Sequence, residues 1–467
     1  MRTRAAKACM TRPTSRNRDF IIPPHPMSDL PSTGHRPQYP PGFRARRGLN
    51  WGFIGLLYTS FYMCRYNLPL ANRAISAEFG FSKADMGMLI TTALMCYAFG
   101  QIINGLLTDR FGGKRAMLIG AAGTVTMNVL FGAASFWGIL GLFVVLRGID
   151  GYFQAFGAPG MIKINAAWFS HTERGRFAGI FGFMINLGRF GIFKLGPALL
   201  AGFTFLGMWH VPPLHWRWLF WIPAGIAVIA AVVMAMVVKD TPEHARFPAV
   251  NPDEPHTDSV ETPISEVFLT IVRQPVVWIT ACAYACTGAV RQGVDQWFPR
   301  LLQDVYHVQL DSAQFQWVGF LIPFVASAGS LVSGYVSDVL FDGRRTPVAA
   351  GLYFLEAIII FLAAQFHSAN AAVIFLVLIS LTANSTHSIL GTAAAMDIGG
   401  ARRAGFASGL IDSFQYFGGS LAGFFLGRLL DKSWDYYFYF MLPFGIIGGL
   451  LMVYSHGRVT AAAKVGH

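Results

Sequence analysis

The sequence predicts an all-α polytopic membrane protein with twelve transmembrane helices in two pseudo-symmetric six-helix halves. Three observations predict this fold class. The 467 residues are 54% hydrophobic and 13% charged, whereas soluble proteins have about 25% charged residues. Continuous apolar segments of about 20 residues, each long enough to cross a bilayer, recur along the whole chain. One loop pattern also appears twice, six predicted spans apart.

The predicted spans follow one another between residues 51 and 456. Their bounds are 51–72, 86–107, 116–136, 138–168, 177–206, 217–238, 274–301, 314–340, 346–366, 370–396, 404–430 and 435–456. The first half is therefore predicted at 51–238 and the second at 274–456. Residues 239–273, rich in proline and polar residues, are the predicted cytoplasmic linker. Residues 457–467 form the predicted C-terminal tail.

Residues 1–50 contain ten Lys and Arg residues, several prolines and no long apolar core. A secretory signal needs such a core, so we interpret this segment as a basic, disordered cytoplasmic tail. Met27 is an alternative start. Outside the spans, Lys and Arg are about four times as frequent on the side of this tail, which places both termini in the cytoplasm. The net charge of +12 thus reflects topology and indicates no nucleic-acid partner.

The repeated loop pattern follows the second and the eighth predicted span, as GLLTDRFGGKR and GYVSDVLFDGRR. A glycine lets two helices approach closely, and an aspartate at a helix end pairs with basic residues. We therefore expect a charged latch that holds one side of a two-half protein closed. The residues assigned to it are Gly105, Asp109, Arg110, Gly112, Arg115, Asp338, Arg344 and Arg345.

The first copy matches the loop motif of the major facilitator superfamily at every position, and residues 51 to about 456 resemble that superfamily. The segment LRGIDGYFQAFGAPGM, with Arg147 and Gly151, is similar to its fourth-helix pattern. The resemblance implies a monomeric carrier that works by alternating access in a lipid bilayer, without enzymatic activity, cofactor or metal. No phosphate-binding loop of the G-x-x-x-x-G-K-[ST] type appears, which disfavours ATP-driven transport.

Arg65 interrupts the first apolar span, in YMCRYNLPLA. It precedes Gly105 by 40 residues, and Arg291 precedes Gly334 by 43, so the first helix of each half carries one arginine at nearly the same place. A charge at a helix centre costs about 2.5–3.5 kcal/mol. The two arginines therefore predict a midplane site for phosphate or carboxylate. Pairing with an intramembrane acid remains the alternative. Asp295 offers such a partner to Arg291, whereas no acid lies within five residues of Arg65.

The segments TGAVRQGVDQWFPRLLQDV (287–305) and GGSLAG (418–423) resemble the organophosphate:phosphate antiporters, which carry glycerol 3-phosphate and hexose 6-phosphates. In that family one arginine of helix 1 and one of helix 7 grip the phosphate, and these positions correspond to Arg65 and Arg291. The resemblance implies exchange of a sugar phosphate, glycerol 3-phosphate or phosphoglycerate for inorganic phosphate. A bacterial inner membrane is the expected location; a plastid or endoplasmic reticulum carrier is the alternative.

Three basic positions of that family are replaced here by Tyr66, Gln101 and Ile185. Other cations, in the fourth and fifth spans, are candidates to rebuild a positive cavity. Lys194 is equally well interpreted as a side chain that extends to the membrane surface. The expected substrate-binding residues are Arg65, Arg291, Tyr62, Tyr66, Gln101, Lys163, Arg189, Asp295, His387 and Asp412.

Two other functions remain open. YMCRYNLPLA and YAFGQIINGLLTDRFG also resemble the anion:cation symporters, which move sugar acids with protons. The acids of that family correspond to Cys64 and Gln154, which accept no proton. One of the acids in or near the spans could carry the proton instead: Asp150, Asp295, Glu356 or Asp412. A packing hydrogen bond or an ion pair with Arg189 would equally explain Asp412. His387 is either packed or functional. The third function is a sugar-phosphate receptor with the transporter fold.

Overall fold

The computed structural model describes residues 39–170, 173–205, 208–250, 273, 275–341 and 344–465. The predicted tail up to residue 38 and the linker residues 251–272 lie outside the described residues, as do the side chains of Asp338 and of residues 392–408.

The chain is helical almost throughout. The first half contains α1 (Phe43–Arg65), α2 (Asn67–Phe79), α3 (Lys83–Phe111), α4 (Gly113–Ala134), α5 (Leu140–Gln154), α6 (Gly157–Trp168), α7 (Arg174–Ala201) and α8 (Trp218–Val237). The antiparallel strands β1 (Phe203–Phe205) and β2 (Trp209–Val211) join α7 to α8, with Phe203 opposite Val211. The second half contains α9 (Pro275–Asp304), α10 (Ala313–Leu340), α11 (Arg345–Gln365), α12 (Ala369–Ser388), the π-helix Ile389–Ala394, α13 (Ala395–Lys432) and α14 (Tyr436–Val465).

Helix α1 begins before the predicted membrane boundary. Residues 43–50 are helical, so the expectation of a disordered tail is wrong for this stretch. Phe43 anchors it, because this buried ring stacks on Trp168 at 5.6 Å and meets Phe247 edge-on at 5.4 Å. At the other end of the chain, α14 continues to Val465, beyond the predicted boundary at residue 456.

The predicted continuous spans 51–72 and 138–168 are each two helices. The first breaks between Arg65 and Asn67, and the second between Gln154 and Gly157. Pro69 and Pro159 are the third residues of the helices that follow. Proline has no N–H to donate to the preceding turn, but it is tolerated in a first turn, where no donor is needed. Hydropathy alone does not show such a break.

Eight described helical segments are long and apolar enough to cross a membrane. The four remaining predicted spans are the two broken ones and those formed by α9 and α13. They carry charged residues inside the bundle: Arg65, Arg147, Asp150, Arg291, Asp295 and Asp412. These four spans hold most of the buried charge, and two apolar spans add Arg189 of α7 and Glu356 of α11.

The two halves meet along α3 and α13. A Cβ on Gly87 would lie 2.2 Å from the carbonyl oxygen of Gly423, which shows that only glycine permits this approach. Nearby, Asp431 of α13 accepts hydrogen bonds from the backbone N–H groups of Lys83 (2.7 Å) and Ala84 (2.9 Å) at the start of α3. This contact region is the closed end of the bundle.

The repeated loop patterns lie at the other end, about 40 Å away along the 29 residues of α3. Here Asp109 pairs with Lys163 of its own half at 3.1 Å, and Arg345 donates to Ser337 of its own half at 3.1 Å. A Cβ on Gly105 would meet nothing within 4 Å.

The other described residues of the two loop patterns do not bring the halves together either. Arg110, Arg115 and Arg344 are exposed, and Gly112, with φ of 87°, forms the turn between α3 and α4. In the described part of the chain, Asp109 has no ion-pair partner in the second half. The close helix approach expected at Gly105 is therefore wrong in this structure. The charged latch stays a prediction, because the side chain of Asp338 lies outside the described residues.

Candidate functional site

Arg65 is the last residue of α1 and lies buried beside the break. Its Nε donates to Gln154 Oε1 at 2.8 Å. Its guanidinium carbon lies 4.7 Å from the ring centre of Tyr62 and 4.3 Å from that of Tyr97. Its buried Nη2 has no hydrogen-bond partner, and among the described residues no carboxylate forms an ion pair with it. Arg65 is therefore a cation with an unused donor, held by aromatic rings.

Arg147 stabilises the break between α1 and α2 by a hydrogen bond to the backbone of Arg65. Because Pro69 has no N–H, the carbonyl of Arg65, four residues earlier, has no helical donor. Arg147 Nη2 donates to this oxygen at 2.8 Å, and Arg147 Nη1 pairs with Asp150 at 2.8 Å. Gln154 Nε2 also donates to Asp150, at 2.9 Å. The residue expected in a conformational motif thus positions the backbone that carries Arg65.

Asp295 joins the two halves at the second predicted arginine. Arg189 of the first half donates to its Oδ1, and the Tyr66 hydroxyl donates to its Oδ2 at 2.9 Å. Arg291 Nε lies 3.9 Å from the same Oδ2 and has no hydrogen-bond partner. The acid-partner alternative therefore applies to Arg291 and not to Arg65. Arg189 pairs with Asp295 rather than with Asp412.

Both arginines belong to one region between the halves. Arg65 and Arg291 are each close enough to interact electrostatically with Asp412 and with the hydroxyl groups of Tyr62 and Tyr416. A cavity beside Arg65 is lined from both halves, by residues that include Tyr97, Gln154, Gln296 and Tyr416. The sequence pointed to the arginines and to Gln154, as the position of a family acid, but not to the other three lining residues. Tyr97, one helical turn before Gln101, is the residue that spacing could have found.

Gln101, Asp412 and His387 form a second polar cluster. Gln101 Nε2 donates to Asp412 Oδ2 at 2.9 Å, across the two halves. The Tyr284 hydroxyl lies 3.4 Å from Asp412 Oδ1 and also hydrogen-bonds His387 Nδ1. Sequence analysis did not single out Tyr284. In the described residues, no group of three or more His, Cys, Asp or Glu side chains is arranged to hold a metal ion.

Two lysines differ from one another in placement. Lys163 lies at the loop-pattern end, where it pairs with Asp109 and donates to its carbonyl oxygen at 2.8 Å. The expectation that Lys163 binds substrate is therefore wrong in this structure, because α6 runs from the break towards that end. Lys194 donates to Gln316 of the second half at 2.8 Å, so its ammonium group is held between the halves.

Two helical halves that enclose a cavity beside a buried arginine, with broken helices next to it, define a multi-pass membrane transporter. The chain belongs to the Major Facilitator Superfamily, whose sequence profile matches residues 54–423.

Relatives named as transporters or sensors support the sequence resemblance to the organophosphate:phosphate antiporters. The chain is 27% identical to the glycerol-3-phosphate transporter of Bacillus subtilis, over 82% of this chain and 86% of that one. It is 26% identical to the membrane sensor protein UhpC of Escherichia coli, over 88% and 92%. It is 27% identical to the phosphoglycerate transporter protein of Salmonella typhimurium, over 87% of each chain.

Solved structures share the fold. A bacterial homologue of the human lysosomal transporter Spinster, inward-facing and unoccupied, superposes with a TM-score of 0.66 at 17% identity, over 88% of this chain and 95% of that one. The occupied form gives the same TM-score at 15% identity, over 91% and 98%. The twelve-helix, two-half architecture expected from the sequence is confirmed.

Proposed function

We propose that this protein is a secondary transporter that exchanges a small phosphorylated metabolite for inorganic phosphate by alternating access. The observation that carries the proposal is Arg65, a buried cation with an unused Nη2 donor and no acid partner among the described residues. Burial of an unpaired charge is costly unless an anion comes to it. Glycerol-3-phosphate, hexose phosphate and phosphoglycerate transporters among the relatives support phosphate as that anion.

Arg65 and Arg291 would hold the phosphate from opposite halves. A guanidinium presents a planar fork of donors that matches phosphate oxygens. The rings of Tyr62 and Tyr97 fix the plane of the Arg65 guanidinium, so less freedom is lost on binding. The Nε of Arg291 is likewise buried without a hydrogen-bond partner. A phosphate between the two would connect the halves directly.

Asp295 acts in this scheme as an internal anion that the substrate displaces. In this structure Arg291 lies near Asp295, which is held by Arg189 and Tyr66 of the first half. A phosphate that draws Arg291 away weakens one interaction of this cross-half group. Substrate binding thereby changes the energy of moving one half against the other, as alternating access requires.

The predicted membrane topology indicates which side of the membrane each end of the bundle faces. We place both termini in the cytoplasm, so that the contact of Gly87 with Gly423 lies on the far side of the membrane and the loop-pattern end faces the cytoplasm. The proposal is thus a monomeric carrier of a bacterial inner membrane in its inward-open state, with the lipid bilayer as its surroundings and no enzymatic activity.

The experiment that tests the proposal follows labelled phosphate leaving liposomes that contain the purified protein. Glycerol 3-phosphate, glucose 6-phosphate, phosphoglycerate or a sugar acid is supplied outside. We expect one organophosphate to drive efflux. Arg65→Lys and Arg291→Lys should each slow it by at least about tenfold, because one charge-assisted hydrogen bond contributes about 1.5–3 kcal/mol.

The matched control is Arg428→Lys, because Arg428 is exposed and lies 3.7 Å from the Phe424 ring at the closed end. We expect efflux within about twofold of the wild type, as for other exposed substitutions. Absence of phosphate exchange, together with sugar-acid uptake driven by a proton gradient, would contradict the proposal and favour the symporter.

A further inference from the structure

Three carboxylates lie between the helices near the two arginines, and they differ in what holds them. Asp150 is paired with Arg147 at 2.8 Å, and Asp295 is paired with Arg189. Asp412 is bound by neutral donors instead, the Gln101 amide at 2.9 Å and the Tyr284 hydroxyl at 3.4 Å. Among the described residues no lysine or arginine forms an ion pair with it. Its charge is therefore the least firmly compensated of the three.

The Tyr284 hydroxyl connects Asp412 to a second titratable group. It hydrogen-bonds His387 Nδ1 as well as Asp412 Oδ1, and the Tyr284 and His387 rings stack at 5.5 Å. A tyrosine between a carboxylate and an imidazole can give its proton to one while it receives a proton from the other. Carboxylate, phenol and imidazole come from α13, α9 and α12, so the path lies within the second half.

The surroundings of Asp412 are otherwise polar and positive. From α3 it faces Gln101 and, beyond that amide, Tyr97. From α9 it faces Tyr284 and the charge of Arg291, and from α1 the charge of Arg65. Two further groups interact with Tyr284: His387 of α12 through a hydrogen bond and Tyr353 of α11 electrostatically. Tyr416 of α13 interacts electrostatically with Asp412 itself. None of the described groups is a carboxylate that would share its proton.

We propose that Asp412 is a proton-binding site and that the carrier takes one proton across the membrane together with its organic phosphate. The inference rests on the proposed function, because it uses the same movement of the two halves. The proton arrives from water in the open cavity, binds one Asp412 oxygen, and exchanges with His387 through the Tyr284 hydroxyl. It leaves to water when the cavity opens on the other side.

Gln101 couples this site to the conformational change. Its amide is in the first half and its acceptor, Asp412 Oδ2, is in the second. A hydrogen bond to a charged acceptor is about twice as strong as one between neutral groups, so protonation of Asp412 weakens this link between the halves. The two halves therefore separate at Gln101 and Asp412 more easily when Asp412 is protonated than when it is charged.

The test uses the full-length protein in liposomes at a clamped membrane potential, with an internal pH dye and labelled glycerol 3-phosphate outside. Glucose 6-phosphate and phosphoglycerate are run in parallel, and the substrate that the exchange assay identifies is the one scored. We expect an inward proton gradient to raise the wild-type uptake rate at least threefold and to acidify the lumen as substrate enters. In Asp412→Asn the ratio of the rates with and without the gradient should fall to about one.

Glu356→Gln is the matched control, because Glu356 is a fully buried carboxylate of the same half outside this cluster. It should keep the wild-type ratio. If Asp412→Asn does not transport at all, the same ratio is measured in Tyr284→Phe, which removes only the connecting hydroxyl. A lower ratio supports the proposal, and an unchanged ratio overturns it.

The two proposals fail separately. Phosphate exchange that is insensitive to the proton gradient overturns the proton site and leaves the antiporter standing. Gradient-driven uptake without phosphate exchange overturns the antiporter and supports the proton site. A gradient response that is lost in Glu356→Gln but kept in Asp412→Asn would place the proton elsewhere and overturn the assignment to Asp412.

Discussion

At the scale of single residues, the structure separates two arginines that look equivalent in the sequence. Arg65 has a neutral partner, Gln154, and an unused donor. Arg291 has Asp295 within 3.9 Å, and Asp295 is shared with Arg189. The sequence showed that Asp295 is within reach of Arg291. It did not show that Arg189 would reach the same carboxylate from the other half, because that contact depends on how α7 packs against α9.

The pair of Arg189 and Asp295 gives the first stability prediction. Asp295→Asn leaves two buried arginines without their counterion, and loss of one member of a buried pair costs about 3–5 kcal/mol. We expect a clear fall in the apparent Tm of the purified protein in detergent. The double variant Arg189→Gln/Asp295→Asn should fall less than the sum of the two single variants.

Asp311→Asn is the control for that measurement, since Asp311 is an exposed residue before α10. Its apparent Tm should equal that of the wild type. Strictly additive losses in the double variant would show that Arg189 and Asp295 do not stabilise one another, and would remove the internal anion from the transport scheme.

At the scale of helices, the most informative feature is the break after Arg65. The proline that causes it is visible in the sequence, in NLPLA, but a hydropathy window averages over it and predicts one continuous span. A second broken helix, with Pro159 as its third residue, occupies the corresponding place in the fourth span. The break could have been predicted from Pro69, whereas the capping of the Arg65 carbonyl by Arg147 could not.

Pro69 and Arg147 are expected to be coupled. Arg147→Gln removes the donor to the Arg65 carbonyl and leaves Asp150 without its cation, which should lower the apparent Tm. Pro69→Ala supplies an N–H that can donate to the same carbonyl, so in the Arg147→Gln background it should raise the Tm again. In the wild-type background the same substitution should bring no gain. Equal effects of Pro69→Ala in the two backgrounds would refute the capping role.

The glycine contact between α3 and α13 gives a prediction about transport. A Cβ on Gly423 would lie 2.3 Å from Thr91 Oγ1 and 2.6 Å from the Gly87 carbonyl oxygen. Gly423→Ala should therefore hinder closure of this end and slow exchange at least about tenfold in liposomes. Gly225→Ala in α8 is the control, because its Cβ would meet nothing within 4 Å. Wild-type exchange in Gly423→Ala would show that close contact here is not required.

At the scale of the whole molecule, composition and the repeated loop pattern were enough to predict the class of fold and the two halves. The resemblance of that pattern to a known loop motif indicated the family. These observations were not enough to predict the conformation. The loop pattern predicts a latch between the halves, whereas in this structure Asp109 pairs with Lys163 of its own half and the described contact of Gly87 with Gly423 lies at the opposite end. A sequence encodes both end states of a carrier, so motifs that act in one state need not be in contact in the other.

The central claim is that Arg65 and Arg291 bind phosphate, and phosphate-dependent thermal stabilisation in detergent tests it most directly. A ligand at 100 times its Kd stabilises the folded state by about 2.7 kcal/mol. We expect inorganic phosphate to raise the apparent Tm of the wild type and of Arg428→Lys, and to leave Arg65→Lys and Arg291→Lys unchanged. A phosphate-dependent shift of wild-type size in Arg65→Lys would contradict the account.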